Sequence, residues 1–98
     1  MKLQVLNPVS QKVVPKTKGT LAPRPSTLEG KVIGLFWNYK PGGDAALKRT
    51  EELLKARYPG LETRSYMGST ESSLRYLSKA QVKQIVEECT AVIGTTAD

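Results

Sequence analysis

The sequence predicts an α/β protein: a βαβαβ unit, half of a doubly wound parallel sheet, preceded by an extended proline-rich arm. Three observations carry this. Stretches of strand character recur three times along the chain, two amphipathic helical stretches separate them, and Pro8, Pro15, Pro23 and Pro25 crowd the beginning.

Residues 1–28 read as the arm and residues 29–98 as the βαβαβ half-domain. Proline lacks the amide donor and fixes φ, so the arm cannot be a central strand or a helix interior. Residues 3–6 and 12–14 could form short edge strands. From Glu29 the pattern changes. Lys31-Val32-Ile33-Gly34-Leu35-Phe36-Trp37 is a nearly continuous apolar run, as expected of a strand covered on both faces. The turn-rich loop 38–43 follows, with Asp44 as the expected N-cap. Ala46, Leu47, Thr50, Leu53, Leu54 and Tyr58 then keep helical spacing until Pro59-Gly60 stops the helix. Leu61 to Met67 alternates, with Glu62 and Arg64 on one face, which suits a strand nearer an edge.

A polar loop, 68–73, leads to the better signed helix. Ser78 is the expected cap, Gln81 completes a capping box, and Leu77 with Val82 occupies the hydrophobic-staple positions. Val82, Ile85, Val86 and Cys89 form a stripe expected to face the sheet. Thr90-Ala91-Val92-Ile93-Gly94 is the third strand. In a doubly wound sheet the first strand lies between the second and third, and ligands enter above the first and third. The loops 38–43 and 95–98 then line the mouth.

Composition narrows the chemistry. The chain has no histidine and one cysteine, so it holds no Ser-His-Asp triad, Cys-His pair, His-ligated metal or internal disulfide. No metal site is expected. No apolar run reaches the ~20 residues of a membrane span, and the start is too short for a signal-peptide core, so a cytoplasmic protein is expected. The net charge is +6, but Lys2, Lys12, Lys16, Lys18 and Arg24 place the excess in the arm. Residues 29–98 are nearly neutral. A basic arm can bind phosphate without specificity, yet it serves more often as a solvated packing segment, and RNA binding is the weakest of the readings.

Candidate ligand-binding residues are Asn38, Lys40, Gly42, Gly43, Thr95 and Thr96, all expected at the mouth. Gly42-Gly43 is foremost a turn into a helix; the sharper reading puts an anion on the helix amides with Lys40 assisting. Neither Gly-x-x-x-x-Gly-Lys-Ser/Thr nor Gly-x-Gly-x-x-Gly is present. A flavodoxin holds its flavin phosphate on a loop after the first strand. Here the hydroxyl-rich loop follows the second, which disfavours flavin. Cys89 is expected to be buried and inert. Trp37 could shield a ligand, but closing the core is its commoner role. Asp98 could act as a base at the crevice or be a frayed end. No complete catalytic constellation forms, and no cofactor is named by these residues.

One resemblance adds to this. Leu21-Ala22-Pro23-Arg24-Pro25, Thr27 to Leu35, Asn38-Tyr39-Lys40-Pro41, and Glu87 to Gly94 running into Thr95-Thr96-Ala97-Asp98 resemble the UGSC family of (seleno)proteins, over about residues 21–98. In that family a strand of this kind runs into selenocysteine or cysteine followed by Gly-Ser-Cys at the head of a helix. On the flavodoxin-like sheet that the strand–helix pattern predicts, the resemblance implies thiol or selenol redox work, because a chalcogenolate at a helix N-terminus is stabilised in its reactive form. The tetrad is not among these residues; Asp98 adjoins the place where it is expected. Termination at a selenocysteine codon is the favoured explanation, ahead of precursor cleavage and of a natural short subunit.

The first functional expectation is therefore the N-terminal portion of a redox enzyme acting on a small-molecule substrate, inactive unless completed. The alternative is a noncatalytic or ligand-binding half of a heteromeric enzyme. Either way the third strand's bare edge calls for a homodimer or a second chain completing the sheet.

Overall fold

The elements run β1 (Val32–Trp37), α1 (Gly43–Arg57), β2 (Glu62–Met67), α2 (Lys79–Glu88) and β3 (Ala91–Thr95). The structure, a computed structural model, describes residues 1–9, 19–68 and 76–96. The three strands form one parallel sheet in the order β2-β1-β3. The first strand is therefore central, the placement expected of its continuous apolar run.

Strand alternation divides β1 between two faces. Ile33 and Leu35 are buried with Leu47 of α1 and Leu61, and Leu28, Leu54, Tyr58, Ala91 and Ile93 pack around them. Gly34 turns to the other face, where a methyl group on it would lie 3.2 Å from Cys89 Sγ, Tyr66 Cε2 and Val92 Cγ2. Thus α1 covers one face and the C-terminal end of α2 reaches the other.

Three local expectations need correcting. The N-cap of α1 is Gly42 rather than Asp44; Asp44 stands inside the first turn and its carboxylate accepts the Gly42 N–H at 3.2 Å. Leu53 is off the buried stripe and 55% exposed, because the face of α1 that meets the sheet runs through Leu47, Thr50, Glu51, Leu54 and Tyr58. On α2, Ile85 is buried but Val86 is 73% exposed and Val82 is exposed as well. The covered side of the helix runs through Gln81, Ile85 and Glu88, so half of the expected stripe, Val82 and Val86, faces outward.

The capping box is formed as expected. Gln81 N–H donates to Ser78 Oγ at 3.1 Å and Ser78 N–H to Gln81 Oε1 at 2.9 Å. Gln81 also donates from Nε2 to the Met67 carbonyl at 2.8 Å, tying the start of α2 to the end of β2. Residues 1–9 are exposed and form no strand, contrary to the suggestion at 3–6. The suggestion at 12–14, most of the hydroxyl-rich loop and Asp98 lie outside the described residues.

Candidate functional site

The mouth is built from the end of β1. Trp37 Nε1–H donates to the Lys40 carbonyl at 2.7 Å, and Tyr39 lies against the indole with ring centroids 5.4 Å apart. To make this fold-back Tyr39 adopts φ 68°, a left-handed conformation that strains most side chains. Asn38 Oδ1 accepts the Lys40 N–H at 3.2 Å, and the Lys40 carbonyl accepts the Gly43 N–H at 3.3 Å. The amides of Lys40, Gly42 and Gly43 therefore hold the loop itself, while the Lys40 residue remains exposed.

Gly43 is where the loop meets β3. Thr95 Oγ1 donates to the Gly43 carbonyl at 3.2 Å. A side chain on Gly43 would put its Cβ 2.8 Å from Thr95 Oγ1, closer than real contacts allow, and a tight 3.0 Å from Trp37 Cδ1. Glycine is needed here for close approach. The fold thus brings Asn38, Lys40, Gly42, Gly43 and Thr95 to one end of the sheet, with exposed Thr96 following Thr95 out of the strand.

Two further groupings had no local signal in the chain. On the α2 face, Tyr66 O–H donates to Glu88 Oε2 at 2.6 Å and lies 3.2 Å from Cys89 Sγ. The phenol has one proton, and the carboxylate takes it, so the thiol is the donor to the phenol oxygen. Cys89 is half-buried rather than buried, contrary to expectation. A phenolate here would face the Cys89 sulfur and the negative Glu88 carboxylate at hydrogen-bond distance, and both hold Tyr66 ionisation well above its ordinary range. The same phenol bond, with a second from Gln84, draws the Glu88 carboxyl below its ordinary range. The second grouping is a pocket between α1 and β2, lined in part by Trp37, Asp44, Glu51 and Met67. Among the described residues, no three His, Cys, Asp or Glu side chains converge to hold a metal, and no helix is long and apolar enough to cross a membrane.

A three-stranded parallel sheet with a helix-headed loop at its carboxyl end defines an α/β protein. The sequence pattern of the UGSC family matches residues 4–98, and the chain belongs to that family. The match begins well before Leu21, so residues 4–28 lie inside the matched region. No curated protein and no solved structure matches the chain.

Proposed function

We propose that the chain is the scaffold portion of a thiol- or selenol-dependent oxidoreductase-like protein, on a sheet of flavodoxin-like winding. Its reactive chalcogen would stand next to β3, at the mouth. The observation that carries this reading is the contact between Thr95 and Gly43: it sets the end of β3 beside the first turn of α1. A residue following β3 is thereby delivered to the strand ends of the sheet, where a small-molecule substrate can reach it. The thiol or selenol chemistry is what the resemblance to the family implies; the match over residues 4–98 supports membership. A reducing cytoplasm suits a chain whose single cysteine has no internal partner.

The test compares the 98-residue chain with a version carrying an appended Cys-Gly-Ser-Cys segment, the tetrad the resemblance implies next to β3, in a thiol–disulfide exchange assay. The short chain is expected to be silent. The extended chain is expected to be active through a Cys of the added segment and to lose activity when that residue becomes Ser. Activity in the short chain that disappears with Cys89→Ser would overturn the reading.

A second reading is favoured by β3 itself. Among the described residues no strand lies on its outer edge, and Val92 on it is exposed together with Val82 and Val86. An apolar parallel edge is a template for another chain. In this reading the chain is a noncatalytic subunit pairing with a second copy or a second polypeptide. Sedimentation at micromolar concentration should show a dimer or larger species; a cooperatively folding monomer would count against it.

A further inference from the structure

The β1–β2 ladder sets Leu35 beside Ser65 and Trp37 beside Met67. These two rungs share one face of the pleat, the face that α1 covers. On α1, Asp44, Leu47 and Glu51 fall at i, i+3 and i+7, one side of the helix over two turns. Rungs and helix border a cleft of about 160 Å³ that opens to solvent on one side. An apolar cavity of roughly 150 Å³ is enough to take up benzene.

Its walls are chemically one-sided. Leu35, Leu47, Met67 and the Trp37 ring are apolar, Ser65 adds a hydroxyl, and no Lys or Arg is among the lining residues. The two carboxylates differ. Glu51 Oε1 already accepts Lys55 Nζ at 2.7 Å and Thr63 Oγ1 at 2.9 Å, so its charge is compensated. Asp44 accepts the Gly42 amide at 3.2 Å, and no ion pair within the described residues includes it. Among the described residues, then, a carboxylate held by one backbone amide and the helix N-terminus, with no cationic side chain on it, borders an apolar, aromatic pocket. An anion entering there would meet two negative side chains.

We propose that this pocket binds a small organic cation, its ammonium group paired with Asp44 and its apolar body laid over Leu35, Leu47 and Met67 against Trp37. A cation near the indole gains from the ring's negative face as well. The pocket lies on the side of β1 away from β3, so the inference rests neither on the redox reading nor on a partner at the free edge.

Benzylamine is the probe, with benzyl alcohol and benzoate as neutral and anionic matches of the same shape. Each is titrated into the 98-residue chain while the fluorescence of Trp37, its single tryptophan, and the amide resonances of Leu35, Leu47 and Met67 are followed. Benzylamine is expected to saturate with an affinity at least about tenfold above that of the alcohol, the factor one charge-assisted contact supplies. Benzoate is expected not to bind. Asp44→Asn keeps an acceptor for the Gly42 amide and should bring the amine down to the alcohol's affinity with circular dichroism unchanged. Ser65→Leu fills the pocket and should remove both. Equal affinity for amine and alcohol in the unaltered chain overturns the cation assignment. Absence of saturation with every probe, or amine binding indifferent to both substitutions, overturns the site.

Discussion

Gly34 sits in the middle of the central strand with side-chain atoms from three other residues 3.2 Å from where its Cβ would be. Adding that one carbon forces Cys89, Tyr66 or Val92 to move in a packed region. Gly34→Ala is expected to destabilise the protein by about 1–3 kcal/mol, the usual cost of overpacking, measured by denaturant unfolding. Cys89 itself is held by a run of hydrogen bonds from thiol to phenol to the Glu88 carboxylate. The thiol spends its proton inward, so labelling in the native state should be slow and should accelerate in denaturant. Tyr66→Phe removes the acceptor for the S–H, and native labelling should then quicken. Fast labelling of the unaltered protein would show that this bond does not restrain the thiol.

At the scale of elements, the two leucine positions of α1 separate packing from periodicity. Leu47 is 6% exposed in the core, whereas Leu53 points outward. Leu47→Ala should cost about 2–5 kcal/mol and Leu53→Ala less than about 1 kcal/mol, as thermal or denaturant midpoints would register. Equal losses would mean that α1 is rotated about its axis. Both leucines keep helical spacing in the sequence, and a 100° step cannot say which edge of a wide apolar stripe will meet the sheet. The same ambiguity misassigned Val82 and Val86 on α2. The start of α2 was legible, because a capping box is closed by residues three apart: Ser78 and Gln81 need nothing else from the fold.

At the scale of the molecule, two carboxylates tie helices to β2. Glu51 joins α1 to Thr63, and Glu88 joins the end of α2 to Tyr66, with Arg64 at 3.8 Å. Hydrogen bonds from Lys55 and Thr63 hold the Glu51 carboxyl below its ordinary range, and those from Tyr66 and Gln84 do the same for Glu88. A depressed folded pKa stabilises the protein fully above the unfolded value, near 4.3 for glutamate, and that stability is lost as pH falls through the folded value. Thermal stability should therefore be level from neutral pH down to about pH 5 and decline below it. Glu51→Gln with Glu88→Gln should lower the plateau and flatten the acid decline; an acid limb of unchanged slope would assign the decline to other carboxyls.

Read alone, the sequence determined the element types, their order and the central place of β1. These follow from short-range facts: an apolar run six residues long, a proline–glycine stop, a cap closed within one turn. The ladder order β2-β1-β3 places the strand with the continuous apolar run between the other two. The candidate mouth was legible as a location, since strand ends of a parallel sheet gather their loops together. Its inward-turned amides were not, because Thr95 and Trp37 decide which way Gly43 faces, and Thr95 lies 52 residues away. The pocket over Leu35 and Ser65, the hydrogen-bonded run from Cys89 to Glu88, and the outward face of α2 were likewise decided by the tertiary structure. Each depends on side chains from separate elements meeting at atomic distances, and no periodicity or local propensity carries that information.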